Sequence, residues 1–159
     1  MPYQPQIRFL GTAAAAASCA LSEDITDESD IIAGGNVITL TLTGDTFVTG
    51  TTSEDGIAGG SDSNVAATGT SWDSLVKTDL DNTDVVLSVG DTVATITLPA
   101  YGSYDITETE TITWTIPAAS LTGGVEIVAS STFTVVPVSS GFQAAWIKQN
   151  FKSGMIGAM

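Results

Sequence analysis

Runs in which threonine alternates with apolar residues constrain this chain more than any other feature. They are Val37–Thr43, Thr92–Leu98, Thr109–Ile116 and Thr132–Val136. Alternation with a period of two puts one set of side chains on each face of an extended segment, so Thr faces water and Ile, Leu, Val or Trp faces a core. Further short extended segments are expected at Ala13–Leu21, Asp84–Val89 and Val125–Ala129. Gly34-Gly35, Gly44-Asp45, Gly90-Asp91 and Gly123-Gly124 supply the turns between them, and Pro117 ends the third run. About seven short strands at this spacing predict an all-β sandwich. The expected core contains Val37, Leu40 or its neighbour Leu42, Phe47, Val93, Ile96, Leu98, Ile112, Trp114, Ile116, Phe133 and Val135.

Other segments break the alternation. Residues 1–11 read as an extended arm, because Pro2 and Pro5 exclude helix there. Ser22–Asp30 is an acidic loop, and Thr49–Thr70 reads as a long irregular stretch of small and polar residues. Trp72–Leu80 fits a helical turn, with Trp72, Leu75, Val76 and Leu80 on one face and Ser71 as its N-cap. The chain thus divides into an arm (1–11), a β-sandwich (12–138) and a C-terminal tail (139–159). With 159 residues, it is long enough to bury a core without staples.

Charge excludes several classes of function. There are 18 acidic residues against 4 basic ones, a net charge of −14. Nucleic acid requires clusters of Lys and Arg to neutralise phosphates, and anionic membrane surfaces require the same. Here the bases are only Arg8, Lys77, Lys148 and Lys152. The absence of histidine removes Ser-His-Asp and Cys-His chemistry and every His-ligated metal site. Carboxylate pairs remain, but the acids lie mostly in loops and on wet strand faces, so no enzyme, cofactor or small-molecule substrate is expected. Residues 23–30 and Asp79–Asp84 hold enough oxygen ligands to suggest Ca²⁺. Both lack the spacing and glycine of a calcium loop, and solvated loops or turns are the expected reading.

The lone Cys19 reads as a small buried hydrophobe. Phe9–Ala20 is small and apolar, and Cys19 follows Ala16-Ala17-Ser18. The segment is nonetheless too alanine-rich and too weakly charged ahead of it for a secretion signal, so an arm or first strand is expected.

The tail differs from the rest in composition. Residues 139–159 contain no acid and two lysines, whereas residues 1–138 carry all 18 acids and two bases. Phe142, Trp146, Ile147, Phe151, Met155 and Ile156 make it apolar, and left free it would be an exposed sticky segment. A basic, apolar extension on an acidic body can dock on its own domain or on a neighbouring copy. These six residues are the expected assembly interface, with the arm Pro2–Phe9 assisting, and Trp146 either packs on its own domain or serves as an aromatic anchor between subunits.

Ser22–Val48 and Thr92–Val135 resemble Ig-like domains that recur in tailed-bacteriophage virion proteins and in some bacterial surface proteins. The resemblance is carried by DIIAGGNVITLTLTGDTFV (30–48), TITLPAYGSYDITETETITWTIP (95–117) and STFTV (131–135), and spans about half the chain. In the related sequences a helical, charged insert follows GDTFV, where this chain has the Gly/Ser-rich Thr49–Thr70. The resemblance implies an Ig-like β-sandwich with terminal arms and no catalytic residues. It implies a virion structural protein, most simply a capsid decoration or cement subunit, assembled in the host cytoplasm. Its partners would be copies of itself and a major capsid or other virion protein. The alternative it leaves open is an adhesion module of a tail fibre or cell surface, binding a receptor or glycan through loops such as 49–70.

Overall fold

The computed structural model describes residues 15–58 and 66–138. Among them the chain forms nine short strands and a few helical turns. The strands are β1 (Ser18–Glu23), β2 (Val37–Thr43), β3 (Ala66–Ala67), β4 (Val85–Leu87), β5 (Val93–Thr97), β6 (Glu110–Thr113), β7 (Thr115–Ile116), β8 (Ile127–Val128) and β9 (Phe133–Val135). A four-stranded sheet runs in the order β1-β2-β5-β4, a three-stranded one β3-β6-β9, and β7 pairs with β8. All strand pairs are antiparallel. The expected all-β architecture is therefore present.

Alternation decides which side chains meet. In β2 it is Ile38, Leu40 and Leu42 that are buried, while Thr41 and Thr43 face solvent. Ala94 and Ile96 of β5 lie opposite Leu40 and Ile38 and share that inner face. From the three-stranded sheet, Ile112, Phe133 and Val135 join the same buried cluster. Two expected core residues fall out of this register: Val37 and Val93 are only half-buried. Each shares the threonine phase of its strand, and a one-residue offset sends a side chain to the opposite face.

The run 109–116 is one segment in sequence but two in space. β6 pairs with β9, whereas β7 pairs with β8. Trp114 sits at the break, where its carbonyl accepts the Ala129 N–H at 2.9 Å. Ala129 also bridges in parallel to Cys19, and the Ser130 N–H reaches the Cys19 carbonyl at 2.8 Å. This stretch links the two sheets along the β1 edge.

Two stretches expected to be irregular contain helices. Glu28–Ala33 forms α1 inside the acidic region. Thr51–Ala58 forms α2 inside the stretch whose small, polar composition predicts an irregular loop, at the place where the sequences it resembles carry a helical insert. α2 buries little more than Ile57 and Ala58, and tertiary bonds hold it. The Trp114 indole N–H donates to the Ile57 carbonyl at 3.0 Å, and the Ser120 hydroxyl to the Ser53 carbonyl at 2.8 Å. Trp72–Val76 is a single π-helical turn continued by α3 (Lys77–Asp79); of the predicted face, Trp72, Val76 and Leu80 are buried and Leu75 is half-buried against the core.

Backbone geometry requires glycine at two turns. In the β4–β5 hairpin the Asp91 N–H bonds back to the Ser88 carbonyl at 3.0 Å, and Gly90 holds the third turn position at φ +91°. Gly34 ends α1 at φ 70°, ψ 179°, a region almost confined to glycine. A Cβ there would lie 2.5 Å from the Ala100 nitrogen. Gly34→Ala is expected to destabilise the fold by about 2–3 kcal/mol, from backbone strain plus this contact. Chemical denaturation would measure it, and a loss within experimental error would contradict the assignment.

Candidate functional site

Two buried carboxylates organise one end of the molecule. Glu110 opens β6 in phase with Ile112, so alternation turns its side chain inward, and it is only 4% exposed. Its oxygens accept the Ser71 N–H at 2.9 Å, the Trp72 N–H at 3.1 Å and the Tyr104 hydroxyl at 2.7 Å. Glu110 therefore caps the π-helical turn from a distant strand. Ser71, the expected cap, makes no side-chain capping bond; its hydroxyl instead donates to the Asp105 carbonyl at 2.9 Å. Burial, and then the hydrogen bond and charge of Glu110, push the Tyr104 phenol above its ordinary range. Tyr104 thus stays a donor at every physiological pH.

Glu28, in the first turn of α1, is the second. One of its oxygens accepts the Ile106 N–H at 3.1 Å and the other the Val138 N–H at 2.9 Å. The Glu28 N–H donates to the Val136 carbonyl at 3.0 Å, beside the parallel bridge between Asp27 and Val136. One residue thereby fixes both the loop after β5 and the point at which the chain enters residues 139–159.

Beside Glu110 lies an open cleft of about 370 Å³, lined by Thr68–Ser71 and Asp105–Glu110. Glu110 forms its floor, and Gly69 passes so close that a Cβ there would collide with the Glu110 carboxylate. Asp105 and Glu108 are exposed at the rim, and no lysine or arginine lines the cleft. It is an acidic, hydroxyl-rich groove, and Ile106, the one aliphatic residue in its lining, is itself buried.

The two acidic segments considered for Ca²⁺ do local structural work. Asp27 caps α1 by accepting the Ser29 N–H, and Asp30 reaches back to the Thr26 and Asp27 N–H groups. Asp81 and Asp84 repeat the arrangement around the 3₁₀ turn Asn82–Asp84. Both are reciprocal capping boxes with aspartate at each end. Hydrogen bonds from Thr26 and Thr83 hold the Asp30 and Asp81 carboxyls below the usual range. Among the described residues no group of three or more His, Cys, Asp or Glu side chains is placed to hold a metal ion.

Cys19 is 1% exposed, and desolvation pushes its thiol up to about 11. The folded protein is expected to resist alkylation by iodoacetamide at pH 8 and to react fully once unfolded, because the thiolate is the nucleophile. Rapid stoichiometric labelling of the native chain would contradict this placement. Among the described residues no helix is long and apolar enough to cross a membrane.

The six expected interface residues, Phe142, Trp146, Ile147, Phe151, Met155 and Ile156, lie outside the described residues, as does the arm Pro2–Phe9. Glu110 and Glu28 were not among the expected functional residues. Alternation through Glu110, Ile112, Trp114 and Ile116 marks the first as inward-facing. No local pattern marks Glu28, whose partners are 78 and 110 residues away. No protein-family model, curated protein or solved structure matches the chain.

Proposed function

We propose that the protein is an Ig-like β-sandwich subunit of a tailed-phage virion, a capsid decoration or cement protein that docks through residues 139–159. The sheet orders support the fold reading. β1-β2-β5-β4 corresponds to strands A-B-E-D of a seven-stranded Ig domain, and β3-β6-β9 to C-F-G, with the β7–β8 pair as an addition at the sheet junction. A single sequence observation carries the functional reading: an acid-free, apolar tail with two lysines extends from a body bearing all 18 acids. Charge steers such a tail towards acidic surfaces, and its aromatic residues supply the anchors of an interface. Glu28 supports the reading by fixing the root of the tail at Val138. Repetition over a lattice lets each contact be weak while the assembly remains stable.

Deleting residues 139–159 is expected to abolish incorporation into particles without unfolding the body. Particle co-sedimentation together with circular dichroism of the truncated chain measures both effects. Normal incorporation of a folded truncation would overturn the proposal.

A further inference from the structure

We propose that the cleft between Thr68–Ser71 and Asp105–Glu110 is the docking site for the protein's own tail in the unassembled subunit, with Trp146 lying in the groove and Lys148 against its acidic rim. Three independent observations support this. The first is position. Glu28 binds the Ile106 and Val138 amides with its two oxygens, and Ile106 lines the cleft. The tail therefore starts beside the groove. Trp146 is eight residues past Val138, and an extended chain covers at most about 3.3–3.6 Å per residue, a reach of roughly 26–29 Å.

The second observation is charge. Asp105 and Glu108 stand exposed at the rim above Glu110, without a basic residue in the lining. The tail has Lys148 and Lys152 and no acid. In an extended segment residues two apart share a face, so Trp146 and Lys148 would be presented together. The third is the size of the groove. At about 370 Å³ it has room for an indole, whose ring would lie against the threonine methyls and the Gly69 backbone while Lys148 meets the acids. Docking in cis covers an apolar segment that would otherwise be exposed before assembly.

The inference concerns the free subunit and goes beyond the assembly proposal. Trp146 can be followed in the full-length chain, because the other two tryptophans, Trp72 and Trp114, are fully buried. The difference in fluorescence between the native chain and Trp146→Phe isolates its signal. Acrylamide is expected to quench that signal several-fold less than free indole. Protection should be unchanged on dilution from the micromolar to the nanomolar range, and lost in the rim double variant Asp105→Lys/Glu108→Lys, whose circular dichroism should remain native.

Three results would each overturn the proposal. Quenching like free indole would show no docking. Protection that disappears on dilution would show docking between copies. Protection that survives the rim charge reversal would place Trp146 elsewhere. All measurements use unassembled protein, so none of these results bears on whether the truncated chain enters particles.

Discussion

Glu110→Ala is expected to destabilise the protein by about 3–5 kcal/mol, a large share of the 5–15 kcal/mol that holds a typical domain together. Three donors converge on this one carboxylate, and two of them, the Ser71 and Trp72 amides, have no alternative cap. Truncation would leave the buried Trp72 amide and the Tyr104 hydroxyl without acceptors, each costing about 1–3 kcal/mol of desolvation. It would also empty the volume against which Gly69 packs. Glu110→Gln retains one acceptor oxygen but turns an NH₂ group towards a donor, and is expected to lose about half as much, roughly 1.5–3 kcal/mol. Urea denaturation of both variants tests the ordering. A loss below about 1 kcal/mol for the alanine variant would mean that water serves these donors equally well.

Trp72→Ala should cost a comparable amount, about 3–5 kcal/mol, for a different physical reason. The indole is fully buried between the sheets. It meets Trp114 edge-on at 6.5 Å and 78° and Phe133 at 5.5 Å and 75°. Removing it leaves a large cavity and forfeits two aromatic contacts worth about 0.5–1.5 kcal/mol each beyond area burial. Because Trp72 begins the turn capped by Glu110, its loss should also loosen residues 72–80. The expected signature is therefore a fall in global stability together with faster amide exchange in that segment. Trp72→Phe preserves part of the packing and should cost much less. If the alanine variant matched the phenylalanine variant, the packing account would be wrong.

These two residues show where sequence reading succeeds and where it stops. Spacing alone puts Trp72, Leu75, Val76 and Leu80 on one face, and the structure buries all of them but Leu75, which is half-buried against the core. Their cap was not recognisable. Ser71 has the right chemistry and position, but a glutamate 39 residues away from Ser71 supplies the acceptor instead. Glu110 carries a signal in its phase with Ile112, but alternation gives no warning that a charged residue will be accepted on the inner face. That depends on whether donors arrive there from elsewhere in the chain.

The acidic segments make the same point. Asp27–Asp30 and Asp81–Asp84 each place acids three residues apart around a Ser or Thr, a spacing that signals a helix start. The expected reading of both as solvated loops or turns misses this capping role. α2 could not be inferred at all, because its sequence contains little beyond Ile57 to bury, and bonds from Trp114 and Ser120 hold it in place.

From its sequence alone, the protein's β class, its main strands and most of its core follow, because period-two alternation is local and each strand carries its own pattern. Sequence also isolates the tail, since a change in charge and hydropathy needs no coordinates to be seen. Tertiary structure alone decided the split of the 109–116 run between two sheet systems, the meeting of the Ser71, Trp72 and Tyr104 donors on Glu110, and the convergence of Ile106 and Val138 on Glu28. Each of these depends on partners tens of residues away. A buried carboxylate is tolerable only where the folded chain brings donors to meet it, and no short window of sequence contains that information.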